Sequence, residues 1–218
     1  MSFFDNIPVV TRNLLYLNLI MFVATLINPT FMQDTFAMAY PLAQDFRWWQ
    51  PLTHMFMHAN FMHIFFNMYT LVMFGMVVER ALGTKDFILF YLVTGFGALL
   101  LHTGVEYLQV QVQSLLHQYP GVNPQQIYNS IPGVLGASGA VYGVLVAFAM
   151  LYPNARMTLI FPPITLDAKW WVAIFIVIEL VTGITGTRMG IAHFAHLGGA
   201  LFGFLLILYW RKHGRIIR

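Results

Sequence analysis

The sequence predicts an all-α, polytopic membrane protein with six transmembrane helices. Hydrophobic residues make up 59% of its 218 residues, charged residues make up 9%, and the mean hydropathy is +0.70. A soluble domain carries roughly 25% charged residues. A helix needs about 20 mostly apolar residues to cross the hydrocarbon core. Six such apolar runs occur, at approximately 13–29, 52–78, 86–105, 136–153, 169–187 and 191–210.

These six runs and their connections occupy the length of the chain, so we expect one membrane domain over residues 1–218. The first run has no small-residue cleavage site and follows no basic cluster, which predicts a retained span and not a signal peptide. Cysteine is absent from the sequence. Disulfides, thiolate catalysis and thiolate metal sites are therefore excluded.

The basic residues follow a membrane topology and do not indicate a nucleic-acid surface. With six spans and the N-terminus inside, nine of them fall on the cytoplasmic side: Arg12, Arg80, Lys85, Arg156, Lys169, Arg211, Lys212, Arg215 and Arg218. Only Arg47 and Arg188 fall outside. Because this distribution follows the positive-inside rule, we expect both termini in the cytoplasm, a lipid bilayer as the surroundings and no nucleic-acid partner.

Two outer loops lie on the opposite side. Residues 30–51 are rich in aromatic side chains, which suit the headgroup region, and residues 106–135 contain no Lys or Arg. The polar segment from Val105 to His117 predicts a short amphipathic helix lying at the interface. No internal repeat is visible, which disfavours a transporter built from two related halves.

Ser138 is the only one of four serines that sits at the mouth of an apolar run, in Gly136-Ala137-Ser138-Gly139. Flanking glycines let the backbone approach a substrate, and the start of a helix presents unpaired N–H groups to a developing oxyanion. The alternative is a helix contact made of small residues, because Gly139 and Gly143 form a GxxxG pair.

The last apolar run begins with His193 and His196. A histidine inside a membrane span costs free energy, so we expect it to face the bundle interior and to be functional. Small residues recur every four positions on this run and on the fourth, as Ala195, Gly199 and Gly203 and as Gly139, Gly143 and Ala147. Packing of these two faces would bring Ser138 and His196 together. The alternative is that both histidines only satisfy a helix end.

His63 and Asn67 lie four residues apart in the second run and therefore on one helical face. Both could donate hydrogen bonds to the carbonyl oxygen of a scissile bond. His54 and His58 are also four apart and could bind a metal, but no HExxH motif or close carboxylate completes a hydrolytic metal site. We therefore predict no metal and no cofactor.

Four motifs occur in order along nearly the whole chain: HxxxN at His63–Asn67, ERxLG at Glu79–Gly83, GxSG at Gly136–Gly139, and AHxxG at Ala195–Gly199, which continues to Gly203. Together they resemble the rhomboid proteases. The resemblance implies a six-transmembrane-helix rhomboid bundle with the activity of an intramembrane serine endopeptidase.

The resemblance also implies roles for individual residues. Ser138 is the nucleophile, His196 is the general base and acid, and His63, Asn67 and the Ser138 backbone donate to the oxyanion. Supporting positions are Tyr142, whose ring holds the catalytic histidine in the family, and Gly136, Gly139 and Gly199. Trp49-Gln50 stands where the family has a Trp-Arg pair.

The family uses a Ser-His dyad, and Glu179 is the only carboxylate deep in a span. Glu179 is either a third catalytic member or a buried structural group paired within the bundle. We interpret Glu79-Arg80 as a cytoplasmic anchoring pair.

The resemblance implies single-span membrane proteins as substrates and a place in the inner membrane of a bacterial cell. One rival is a rhomboid-like protein that binds membrane clients without cutting them, although Ser138 and His196 are both present. A second rival is a small transporter, which predicts polar residues spread through the bilayer depth. The sequence instead clusters its polar candidates toward the outer half.

Overall fold

The computed structural model describes residues 6–115, 124–159, 162–185 and 190–216, and it is built mostly of helices, as the sequence predicts. The helices are α1 Val9–Ile27, α2 Pro29–Phe36, α3 Gln50–Thr53, α4 Phe61–Thr70, α5 Met76–Leu82, α6 Thr84–Leu115, α7 Pro124–Ser130, α8 Ser138–Leu151, α9 Ala168–Thr185 and α10 Gly190–Lys212. A small antiparallel hairpin, β1 Arg156–Thr158 and β2 Thr165–Asp167, was not predicted.

Five stretches in the described part of the chain are long and apolar enough to cross a membrane: Val9–Ile27, Phe61–Leu82, Thr84–Gln111, Ala168–Thr185 and His193–Lys212. The sixth apolar helix, α8, has 14 residues. At about 1.5 Å per residue it is shorter than the hydrocarbon core. The count of six spans therefore stays a prediction. Arg188, Arg218 and the end of the fifth predicted run, 186–187, lie outside the described residues.

The prediction of a separate interfacial helix from Val105 to His117 is wrong for its described part, because α6 continues without a break to Leu115. No Pro or Gly stands between Val105 and Leu115 to end the helix. A buried pair also ties this part of α6 together, with His102 Nε2 3.2 Å from Glu106 Oε1 one turn later. Residues 116–117 lie outside the described part.

The second predicted run begins as two short pieces before its spanning helix. After α3, a 3₁₀ turn covers His54–Phe56, and the Asn60 side chain then caps α4 by accepting from the His63 N–H at 2.9 Å. From Phe61 to Leu82 the helix is continuous through a π-helical segment, Leu71–Gly75. Because the helix is interrupted, His54 and His58 do not share one helical face.

Helix α8 is enclosed by its neighbours. Within this helix nearly every side chain from Gly139 to Ala149 is buried. Helix α10 packs most extensively against α6 and α8 and also contacts α9. Aromatic side chains, including Phe87, Phe90 and Trp210, fill the space beside them. Ser138 therefore starts the most enclosed helix of the fold.

The first outer loop is organised by Gln50. Its Oε1 atom accepts from the N–H groups of Ala39 and Arg47, at 3.3 and 3.0 Å, and its Nε2 atom donates to two backbone carbonyls of the same loop. Trp49 Nε1 donates to the Thr35 carbonyl at 2.9 Å. Gln50 thus crosslinks the loop at the position that, by the resemblance noted above, corresponds to the Arg of a Trp-Arg pair.

Glu79 has a structural role that differs from the predicted anchoring pair. Its carboxylate is buried and accepts from the Val10 N–H at 3.0 Å and from the Thr11 N–H and Oγ1 at 2.7 and 2.8 Å. Glu79 therefore caps the start of α1, where N–H groups have no acceptor within the helix. Arg80 points elsewhere and donates to the Asn6 carbonyl at 2.6 Å.

Candidate active site

Ser138 lies at the N-terminal end of α8, directly after a sharp backbone turn. Gly136 has φ of +131°, a conformation that side-chain-bearing residues rarely adopt, and its N–H donates to the His54 carbonyl at 2.9 Å. The first backbone bond of α8 runs from Val141 to Ala137. The N–H groups before Val141 therefore have no acceptor inside the helix, and they form a ready site for negative charge.

His196 is the base that faces Ser138. Its Nε2 atom lies 2.9 Å from Ser138 Oγ. The Tyr142 ring stacks on the imidazole with centroids 4.4 Å apart and an interplanar angle of 6°. His193, the competing candidate, bonds to Glu179 through Nδ1 instead. The structure thus brings the predicted nucleophile together with His196 and not with His193.

Small residues make this pairing possible. A Cβ atom on Gly199 would collide with the backbone of Gly139, and one on Gly203 would lie 2.9 Å from the Gly143 Cα. The faces predicted from the four-residue repeats are therefore in direct backbone contact. This close approach of α8 and α10 sets the separation of Ser138 and His196.

Glu179 on α9 joins the site through three side chains. Its Oε1 atom lies 2.9 Å from His196 Nδ1 and also accepts from the Tyr142 hydroxyl, and its Oε2 atom bonds His193 Nδ1. Glu179 is only 7% exposed. Because Glu179 lies in an apolar run, the sequence predicts that its carboxylate is paired. The sequence does not predict the partners, because they depend on the rotation of α9 against α8 and α10.

The predicted oxyanion donors line the same space as the dyad. Ala59 N–H lies 3.4 Å from His63 Nδ1, an arrangement that leaves Nε2 as the protonated nitrogen. A Cβ atom on Gly136 would lie 2.8 Å from His63 Nε2 and 3.6 Å from Ser138 Oγ, so His63 and Ser138 both adjoin Gly136. Asn67 Nδ2 donates to the His63 carbonyl at 2.9 Å, which uses one of its two hydrogens.

A cavity of about 440 Å³ joins these groups, and its wall includes His63, Asn67, Ser138, Tyr142 and His196. The wall also includes the apolar side chains of Met62, Phe66, Val141, Leu145 and Phe175. Met62 and Phe66 are each 56% exposed, so the cavity reaches the protein surface. The space therefore gives the Ser138 side chain access to the surroundings of the protein.

Side chains that could serve as metal ligands cluster at two places in the described residues. Glu179, His193 and His196 offer ligand atoms within 4.8 Å of one another, but these atoms hydrogen-bond one another across the site. At the other place, His54 Nδ1 lies 3.1 Å from the Gln50 carbonyl oxygen, while His58 is buried with neither ring nitrogen bonded to a described residue. These two histidines belong to no three-residue ligand group in the described part.

Known proteins are similar to this chain in sequence. The Rhomboid domain matches residues 45–213. Rhomboid protease AarA of Providencia stuartii is 30% identical over 175 residues, which cover 77% of this chain and 57% of that protein. The mitochondrial presenilin-associated rhomboid-like protein of Homo sapiens is 31% identical over 169 residues, which cover 75% and 39%. The chain belongs to the rhomboid family.

A plant relative extends the comparison. The chloroplastic Rhomboid-like protein 11 of Arabidopsis thaliana is 31% identical over 171 residues, which cover 73% of this chain and 51% of that protein. In each of these cases the match spans less than two thirds of the relative's own length.

Proposed function

We propose that this chain is an intramembrane serine endopeptidase that cleaves single-span membrane proteins with a Ser138-His196 dyad. The observation that carries the proposal is the 2.9 Å separation between His196 Nε2 and Ser138 Oγ. A serine hydroxyl is a weak nucleophile unless an adjacent base takes its proton. Similarity to AarA, which is named a rhomboid protease, supports the same activity.

The reaction is an acyl transfer in two stages. His196 Nε2 takes the Ser138 proton as Oγ attacks the scissile carbonyl carbon, and the N–H groups at the start of α8, with His63 and Asn67, hold the oxyanion. His196 then gives the proton to the leaving amine. A water molecule, deprotonated by the same histidine, hydrolyses the acyl-enzyme and releases Ser138.

The cavity of about 440 Å³ supplies what this reaction needs within a membrane. Hydrolysis requires water, and non-helical backbone is tolerated at membrane depth only where protein or a water-filled cavity surrounds it. A substrate helix must also unwind, because its carbonyl groups are otherwise engaged in helical hydrogen bonds. Substrates with small or helix-breaking residues near the cleavage site fit this requirement.

We place the protein in a bacterial inner membrane, as a single domain over residues 1–218 with six spans and both termini in the cytoplasm. The nine-to-two division of basic residues supports this orientation. It puts the start of α8 and of α10, and hence Ser138 and His196, toward the extracytoplasmic side. Cleavage would then occur near that boundary of the bilayer.

Two observations favour the protease over its rivals. A client-binding protein without activity has no need of the hydrogen-bonded Ser138-His196 pair. A transporter needs polar groups along a path through the bilayer, whereas the candidate residues here gather around one cavity at the N-terminal ends of α4, α8 and α10.

Cleavage of a fluorescently labelled single-span substrate by the detergent-purified protein tests the proposal. We expect Ser138→Ala to abolish cleavage because the acyl-enzyme cannot form. Ser130→Ala is the matched control, since Ser130 is exposed and only bonds the Ile127 carbonyl in α7. Undiminished cleavage by Ser138→Ala contradicts the proposal.

A further inference from the structure

We propose that Glu179 is a positioning residue for His196, the base of the Ser138-His196 dyad. This inference deepens the proposed function and rests on it. Its geometric basis is that the two ring nitrogens of His196 have different partners. Nε2 lies 2.9 Å from Ser138 Oγ, and Nδ1 lies 2.9 Å from Glu179 Oε1.

The bond to Glu179 fixes which nitrogen of His196 carries the proton. A carboxylate has acceptor oxygens and no hydrogen to donate, so His196 Nδ1 must be the donor in this bond. Neutral imidazole has one donor and one acceptor nitrogen. Nε2 is therefore left with its lone pair directed at the Ser138 hydroxyl, which is the tautomer a general base requires.

Glu179 is itself held by more than His196. The Tyr142 hydroxyl donates to Oε1, and His193 Nδ1 bonds Oε2. A buried carboxylate inside a membrane protein is costly without such donors. Because the neighbouring groups anchor it from two further sides, Glu179 is a rigid reference point for the His196 ring, as is the Tyr142 ring stacked on that imidazole.

The same contact stabilises the charge that forms during the reaction. When the Ser138 O–H bond breaks and an N–H bond forms at Nε2, His196 becomes an imidazolium beside the Glu179 carboxylate. The proton on Nδ1 stays on Nδ1, so Glu179 accepts a hydrogen bond throughout and does not take up a proton. A preformed negative charge next to a developing positive one lowers the barrier without reorganisation.

A purely structural pairing of Glu179 makes a different prediction. Such a group would stabilise the fold through Tyr142, His193 and His196 alike, and its loss would lower thermal stability without a selective effect on turnover. A positioning residue must instead affect the turnover number and the reactivity of Ser138 toward small covalent probes. The two roles are therefore separable by experiment.

The experiment compares Glu179→Gln and Glu179→Asp with the wild type, using substrate cleavage and the rate of labelling by a fluorophosphonate. We expect Glu179→Gln to lower kcat by about 10²- to 10⁴-fold with little change in KM, because its amide can donate to Nδ1 and favour the wrong tautomer. Labelling should slow in parallel, and Glu179→Asp should restore part of both rates.

Glu106→Gln, a change at a buried carboxylate outside the site, is the matched control. Wild-type kcat and labelling in folded Glu179→Gln overturn the inference.

A second measurement does not depend on activity. Nitrogen-15 NMR of histidine-labelled wild-type protein, with His196 assigned by comparison with His196→Asn, reports the protonated nitrogen of His196. We expect hydrogen on Nδ1, and hydrogen on Nε2 in the neutral ring overturns the inference. If the wild type cleaves no substrate, the proposed function fails while this measurement still decides the His196-Glu179 contact.

Discussion

Gly199 on α10 packs directly against the backbone of Gly139 on α8, in the same region where His196 meets Ser138. Neither glycine contributes a side chain to the reaction. Both are needed because a side chain between them would separate the two helices that carry the nucleophile and the base. The catalytic distance is therefore a consequence of helix packing.

The first prediction tests that dependence. Gly199→Ala places a methyl group against the Gly139 carbonyl, and we expect overpacking of about 1–3 kcal/mol with a fall in cleavage on the order of a hundredfold. The thermal unfolding midpoint and kcat measure the two effects. Gly104→Ala is the control, because a Cβ atom there meets nothing within 4 Å. Equal changes of the unfolding midpoint and of kcat in the two variants would contradict the dependence of the catalytic distance on helix packing.

The second prediction separates the two histidines of α10. His196→Ala should abolish cleavage, since it removes the group 2.9 Å from Ser138 Oγ. His193→Ala should keep measurable activity, since His193 bonds Glu179 through Nδ1 and touches His196 only by an edge-to-face ring contact with centroids 6.4 Å apart. Turnover of both variants checks this. An inactive His193→Ala beside an active His196→Ala would assign the base to the other histidine.

Much of this site could be predicted from the sequence, because motif spacing fixes which residues share a helical face. Spacing places His63 and Asn67 on one face, and the small-residue repeats predict the contact between α8 and α10, while the roles of Ser138 and His196 are what the family resemblance implies. The partners of Glu179 could not be predicted in this way. They depend on the rotation of α9 against two other helices, which is set by packing over the whole helix.

Element boundaries show the same limit. Hydropathy identifies where apolar residues stop, but α6 continues to Leu115 because nothing in its polar extension breaks a helix. The sequence also does not predict the interruption before α4. The four-residue spacing of His54 and His58 is typical of a helix, but the backbone forms no continuous helix there. Backbone hydrogen bonding, and not polarity, decides these ends.

The third prediction concerns the oxyanion donors. Asn67→Ala removes one side-chain donor, and a loss of about 3 kcal/mol corresponds to a rate drop on the order of a hundredfold. His63→Ala should behave similarly if it only donates a hydrogen bond. The effect should fall on kcat with little change in KM, because the interaction forms in the transition state. A defect confined to KM would place these residues in substrate binding.

The fourth prediction concerns Glu79, which caps α1. Glu79→Ala leaves the Val10 and Thr11 N–H groups without their acceptor, and we expect a loss of at least about 2 kcal/mol in unfolding free energy. A lowered thermal unfolding midpoint measures it, while kcat per folded molecule stays near wild type. Arg80→Ala, which removes an exposed bond to the Asn6 carbonyl, should shift the midpoint far less. A larger shift of the midpoint in Arg80→Ala than in Glu79→Ala would contradict the cap and favour the predicted Glu79-Arg80 anchoring pair.

The most direct measurement of the central claim is the site of covalent modification by a fluorophosphonate, located by mass spectrometry of peptides from the labelled protein. The account predicts one adduct, on Ser138, formed by the wild type and lost in His196→Ala. The other serines, Ser2, Ser114 and Ser130, serve as internal controls within the same chain. An adduct on one of those three, or equal labelling of Ser138 in His196→Ala, would contradict a Ser138 nucleophile activated by His196.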